Sequence, residues 1–451
     1  MSRRIRIKGL GLLLLGICPS LWAQQAMSLE DAQRYAFKNS YLISNSRHEI
    51  EKAEKRLWEI TAIGLPQASA SLNYQYSPDL PEQPVPAEFF GGEPGTFQTV
   101  AFGVSNSSVA TFQINQLVFD GTYLLARQGS ILLKKIRNDE LTKSTIDARD
   151  EVARAYYNVQ LSAEAEKILQ SNLANLSKNL QEVRALYEEG FLEEQDAQQL
   201  EYLVNGISLE LENARRMGKV AMDFFRFTIG MPMDSAVQLS QGLEELYLQN
   251  ASGQLVSEQA FRLEEHIEYQ LVENQETGAA LQVKRRMWDF APKVNGFLTH
   301  QQSNFDNDAF NMFNYNSYWI PSTVMGLSVS MPLFTSFANK MRLDQARIDL
   351  IEVQEAKDQI VQALTLEYEQ AKSAYSYASD RLSNEQRNRE ITKSIRDKTL
   401  IKYKEGISSS LEVTQTQNQY LNSETNYLSA MLELLNAKSR LDKVLGNYNK
   451  Q

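Results

Sequence analysis

The feature that most constrains this chain is that it is written twice. Tyr187-Glu-Glu-Gly190 recurs as Tyr403-Lys-Glu-Gly406, 216 residues on, and Gly230 and Gly446 stand at the same separation. Phe119 answers Phe334 at 215 and Pro66 answers Pro292 at 226, so four landmarks recur in one order. A fixed period of this kind is one supersecondary unit used again. Each copy reads helix, strand, loop, strand, long helix, turn, helix. The first copy covers 24–230, the second 258–451, and 231–257 joins them.

The strand pattern comes from period-two alternation. Over 67–77, Ala68, Ala70, Leu72, Tyr74 and Tyr76 share one face and Gln67, Ser69, Ser71, Asn73, Gln75 and Ser77 the other, which is a strand wet on one side. A second strand is expected near 108–119, with Ala110, Phe112 and Ile114 opposite Thr111, Gln113 and Asn115. The second copy places strands near 293–303 and 323–333; the last alternates Met325, Leu327, Val329 and Met331 with Gly326, Ser328 and Ser330. Residues 78–107 are rich in Pro and Gly and read as loop.

Helices fill most of the rest. Ser28 with Asp31 three positions on marks the first start. Helices are expected over about 120–187, 192–229, 336–403 and 408–445. A helix of the first span would extend roughly 100 Å at 1.5 Å per residue. Leu169, Leu173, Leu176, Leu180, Val183 and Tyr187 carry a heptad, continued by Leu200, Val204, Ile207 and Leu211; the second copy offers Leu421, Thr425, Leu428, Leu432 and Leu435. These stripes are narrow, as in a single curved layer of helices with water on both faces.

The first 23 residues read as an export signal: Arg3, Arg4, Arg6 and Lys8, then the apolar run 9–18, then a cleavage point after Ala23. The one cysteine, Cys18, lies inside it, so the exported chain has no disulfide or thiolate site, unless Cys18 is the acylated first residue of a lipoprotein. The total charge of −10 becomes −14 without the four basic residues of the leader, a poor ligand for nucleic acid. His48, His266 and His300 lack metal-ligand spacing, with His300 read as a loop-proximal polar residue, and no phosphate-binding loop occurs. No catalytic, cofactor or metal site is expected, and the chain is read as not an enzyme.

Four one-sided strands of about ten residues match the length that crosses an outer membrane when tilted. A sheet in lipid must close, because open edges there are too costly. Single-chain membrane barrels start at about eight strands, so several chains must share one barrel, and three would give about twelve strands.

SLEDAQRYAFKNS near the start, GLPQASASLNY entering the first strand, QLVFDG leaving the second and the paired Tyr-x-x-Gly turns together resemble the TolC family of outer-membrane efflux proteins, over essentially the whole exported length. The resemblance implies a mainly helical fold with a transmembrane β region: a homotrimer sharing a 12-strand β-barrel and a 12-helix periplasmic α-barrel, girdled near 231–262. It implies a passive exit channel of a tripartite efflux or type I secretion system, set in outer-membrane lipid and extending into the periplasm. Its partners would be a periplasmic membrane-fusion adaptor and, through it, an inner-membrane pump of the RND, ABC or MFS type. The alternative is a periplasmic coiled-coil adaptor or structural envelope protein, which explains the leader and heptads but not the strands or the duplication.

In that family the two turns form a constricted tip where adaptors dock, which makes Gly190 and Gly406 docking candidates and Tyr187, Asp196, Tyr403 and Glu412 gate candidates. Asp196 and Glu412 keep the acidic residue common six positions after each turn glycine. Ser408 and Gln415 replace a basic latch residue and a further acid, Asn39-Ser40 replaces an Asn-Pro, and an Arg-Pro-Asp is missing from 260–267. Gathered at a narrow axis, Asp196 and Glu412 would favour cations; as ordinary first-turn residues they would simply suit the helix dipole. Tyr187 and Tyr403 read either as hydrogen bonds across the tip or as heptad packing, and the two glycines as residues able to take positive φ where a helix ends. Phe89, Phe90 and Phe97 of the long loop would face outside.

Overall fold

The computed structural model describes residues 26–251, 261–308, 311–314 and 316–449. The leader read at 1–23, with Cys18, and positions 252–257 of the joining segment lie outside them. In chain order the elements are β1 (Ala26–Met27), α1 (Leu29–Asn39), α2 (Tyr41–Ile63), β2 (Gln67–Tyr76), β3 (Glu82–Pro86), β4 (Phe97–Ala101), β5 (Asn106–Phe119), α3 (Gly121–Glu188), α4 (Glu194–Ile229), β6 (Gln238–Leu239), α5 (Leu243–Ala251), α6 (Ile267–Trp288), β7 (Lys293–Asp306), β8 (Ile320–Ser330), α7 (Ala338–Lys404) and α8 (Ser410–Val444). The fold is mainly helical. Its two compact units are not the two sequence copies: one takes 42–147, 259–371 and 442 onward, the other the residues up to 41, 148–258 and 372–441. The long helices α3 and α7 contribute to both, so each unit draws on both copies.

The strand unit holds an antiparallel sheet in the order β2-β5-β7-β8. Its register lines up Ala68, Ile114, Leu298 and Met325 in one row of one face, and Ser69, Gln113, Thr299 and Val324 in the next row of the other. Both edge strands, β2 and β8, are exposed at every residue. The third strand alternates imperfectly for two visible reasons. Phe297 sits on the hydroxyl-and-amide face, where its ring lies over Gly326; a Cβ there would meet it at 3.1 Å. His300 sits on the apolar face in mid-strand, not near a loop, bonded through Nδ1 to Thr323 Oγ1 at 2.7 Å and through Nε2 to Gln302 at 3.1 Å. The fourth strand lies at 320–330, so Met331 falls beyond it; Pro332 follows, and proline cannot donate to a ladder. The stretch 78–107 is not all loop: β3 and β4 pair as a hairpin through Ala87–Phe90. Pro84 and Pro86 are tolerated there because a two-stranded ribbon leaves one side of each strand free.

In the helical unit the expected start at Ser28 forms a reciprocal capping box with Asp31. The first helix breaks in two at Ser40, whose ψ of 134° leaves the helical region. The break admits Gly230, where a Cβ would lie 2.2 Å from the Asn39 carbonyl oxygen. Tyr156 is fully buried at the centre: its hydroxyl donates to the Met27 carbonyl at 3.0 Å, accepts from the Gln241 N–H at 3.2 Å, and its ring meets Phe225 edge-on at 5.9 Å. That hydroxyl ties the parallel pair β1–β6 to the helices. The core gathers Val152, Tyr156, Phe225, Ile229, Leu243, Leu246, Met431 and Leu435. A second cluster joins Leu176, Leu180 and Val183 of α3 to Leu200, Leu203 and Ile207 of α4; this follows the expected heptad except that Leu203 is buried where Val204 was expected and Tyr187 is exposed. On α8 the buried stripe runs through Tyr427, Leu428, Met431, Leu434 and Leu435 while Thr425 is exposed, a shift because Thr425 turns its helical face to water.

Candidate functional site at the two helix-turn-helix bends

Both bends are built by the same local chemistry. α3 ends at Gly190 with φ of 80°, where Gly190 N–H donates to Tyr187 O at 2.9 Å and Phe191 N–H to Leu186 O at 2.9 Å. α7 ends at Gly406 with φ of 76°, where Gly406 N–H donates to Tyr403 O at 3.0 Å and Ile407 N–H to Lys402 O at 2.8 Å. This is the left-handed helix stop that satisfies the last carbonyls, and glycine adopts it without strain. No atom lies within 4 Å of a Cβ at either glycine. The residue after each glycine is apolar and exposed, Phe191 at 75% and Ile407 at 71%.

The side chains around these bends are not equivalent. Tyr187 is 41% exposed, whereas Tyr403 packs against the Leu176–Ile207 cluster with its hydroxyl buried and without a hydrogen-bond partner. Burial, and then the negative charge of Asp196, pushes the Tyr403 phenol up to about 12. The fold therefore brings Tyr403 and Asp196 of the gate candidates into one neighbourhood. Glu412 stands exposed in the first turn of α8, its N–H donating to the Ser409 hydroxyl at 3.3 Å. Lys404 reaches Glu182 at 3.6 Å, Ser410 donates to Gln199 at 2.9 Å, and buried Gln417 donates to Asn172 at 3.2 Å, so polar contacts link the α3–α4 pair to the α7–α8 pair.

Two features here escaped the reading of the sequence. One is charge: over corresponding spans, 182–196 carries Glu182, Glu188, Glu189, Glu193, Glu194 and Asp196 against Arg184 alone, while 398–412 carries Lys398, Lys402 and Lys404 with Glu405 and Glu412. Aligning the copies residue by residue would have exposed it. The other is a ladder above the second bend. Glu424, with only 3% of its side chain exposed, accepts from Arg389 at 2.9 Å and from the Tyr420 hydroxyl. Arg396 lies 3.9 Å over the Tyr420 ring and Arg389 4.7 Å over that of Tyr427, as cation–π pairs. These residues line a cavity of about 440 Å³ with α3 and α5. The signal was the spacing: arginines seven apart on α7 face Tyr420, Glu424 and Tyr427 on one stripe of α8.

Among the described residues no group of His, Cys, Asp and Glu could hold a metal ion, and no helix is long and apolar enough to cross a membrane.

Residues 275–447 match the sequence profile of a family described as outer membrane efflux protein. No curated protein sequence matches the chain. Its fold is similar to that of CusC, with a TM-score of 0.70 at 15% identity over 92% of this chain and 91% of that one. It is similar to the outer membrane protein VceC from Vibrio cholerae, with a TM-score of 0.70 at 14% identity over 93% and 96%. The Campylobacter jejuni CmeC outer membrane channel follows, with a TM-score of 0.69 at 13% identity over 93% and 85%.

Proposed function

We propose that this chain, whose residues 275–447 make it a member of the outer membrane efflux protein family, is the passive outer-membrane exit channel of a tripartite efflux or type I secretion system. The observation that carries this reading is the four-stranded sheet with two open edges, one apolar-rich face and one face of hydroxyls and amides. Such a sheet is unstable alone in water or lipid. Its strands alternate in direction, so β8 of one copy beside β2 of the next continues the antiparallel order. Three copies close it at about twelve strands, lipid outside and a polar lumen inside. The helical hairpins of three copies then supply a twelve-helix periplasmic wall.

The bends are the moving end. Tyr403 with its buried hydroxyl, Asp196 beside it, Tyr187 and Glu412 form the gate, and Gly190 and Gly406 carry the turns on which a periplasmic adaptor docks. The pump behind the adaptor supplies the energy; this chain performs no chemistry on its cargo.

The first test is the mass of the protein extracted from outer membranes in mild detergent, together with its conductance in a planar bilayer. A particle of roughly three times the chain mass with small discrete conductance steps is expected; a monomer without channel activity overturns the shared barrel. Ion selectivity unchanged in Asp196→Ala/Glu412→Ala would remove those two carboxylates from the gate while leaving the channel itself standing.

A further inference from the structure

Helices α2 and α6 each lead into a strand of the sheet, β2 and β7, and they begin differently. Ser40 stands before α2; His266 stands before α6. His266 is extended, with φ of −77° and ψ of 127°, and its Nδ1 accepts the Glu268 N–H at 3.3 Å. A backbone N–H only donates, so this nitrogen carries no proton and the ring is neutral. Serine, threonine, asparagine and aspartate caps persist across the neutral range. An imidazole cap does not: protonation of Nδ1 removes the acceptor and sets a positive charge against the positive end of the helix dipole.

The surroundings give an imidazolium little compensation. The ring is partly buried. From α6 it faces Glu268, already bonded to Lys143 of α3 at 2.6 Å. Asp147 of α3 is bonded to Lys443 at the end of α8, also at 2.6 Å. Glu367 of α7 adds a second, smaller favourable charge, while Lys143 and Lys443 oppose an imidazolium. All these groups lie in the strand unit. Burial holds the His266 imidazole below its ordinary value; Glu268 and then Glu367 pull it back up, and Lys143 and Lys443 add smaller pushes downward.

We propose that His266 is a pH-responsive cap: as the surrounding pH falls below the neutral range it protonates, releases the first turn of α6 and loosens the strut that feeds β7, while α2, whose start carries no imidazole cap, stays closed. This makes one of two corresponding helices acid-sensitive and does not depend on the channel reading.

The test is hydrogen exchange by mass spectrometry on the full detergent-extracted chain, corrected for intrinsic rates. Peptides covering the first turn of α6 are compared with those of α2 at pH 7.5 and 5. Below the ordinary imidazole value near 6.5, the opening equilibrium of α6 should rise by up to about tenfold per pH unit until the lowered value is passed. His266→Asp should flatten that dependence, because its carboxylate stays ionised above about pH 4. His266→Asn should flatten it too, since an amide acceptor does not titrate; the two variants guard against one failing to fold. Equal protection of α6 at both pH values in the natural chain overturns the proposal, as does the same acid loss in a folded variant of either kind.

Discussion

At Gly190 and at Gly406 the chain reverses through the same left-handed step with the same two backbone hydrogen bonds. Yet Tyr187 lies in water and Tyr403 hides its hydroxyl against α3 and α4 leucines, and one bend is acidic where the other is rich in lysine. The difference separates two kinds of cause. Backbone reversal is local: a glycine and the carbonyls behind it suffice. Burial and charge environment depend on which helices come alongside, and a duplicated sequence does not duplicate its neighbours.

Gly230 breaks the comparison most strongly. Its φ of 74° resembles those of the bends, but a Cβ would strike the Asn39 carbonyl at 2.2 Å. Gly230→Ala should destabilise the protein by about 3 kcal/mol or more, measured by urea unfolding followed by circular dichroism. Next come the tyrosines: Tyr403→Ala should cost about 2 kcal/mol and Tyr187→Ala less than about 0.5 kcal/mol; equal losses would mean the bends are packed alike. Gly190→Ala and Gly406→Ala should each cost about 1 kcal/mol from the left-handed φ alone, and match one another because both sites are open.

An alkaline titration addresses Tyr403 by difference, because burial also holds the phenols of Tyr156, Tyr420 and Tyr427 above their ordinary value. Its phenol is held up to about 12 in the folded protein against an ordinary 10.0. The resulting stability is therefore complete below pH 10 and lost as pH rises toward 12. Absorbance near the phenolate band should show one late-ionising group fewer in Tyr403→Phe. The smallest effect is electrostatic. Lys402→Glu with Lys404→Glu makes both bends acidic, and should shift stability by about 0.5 kcal/mol at low salt and by nothing measurable in 1 M salt.

Much of the fold was legible in the residues. Alternation in 67–77 and around 108–119 gave strands, because a sheet wet on one face leaves a period of two. Ser28 and Asp31 gave a helix start, and the leucine heptad gave the α3–α4 seam, because each is a short-range pattern. What misled was also local: the strand at 320–330 was placed three residues late because the apolar alternation continues to Met331, past the point where Pro332 ends the pairing.

Sequence alone determined the recurring landmarks, the long helices and the four main strands, the turn glycines and the sign of charge at each bend, since each of these is carried by residues near one another along the chain. Only the tertiary structure decided that Tyr403 is buried while Tyr187 is not, that Arg389, Tyr420 and Glu424 meet, that His266 caps a helix, and that the compact units cut across the two copies. Those depend on contacts between segments far apart in sequence, and a one-dimensional pattern does not encode which helix will lie beside which.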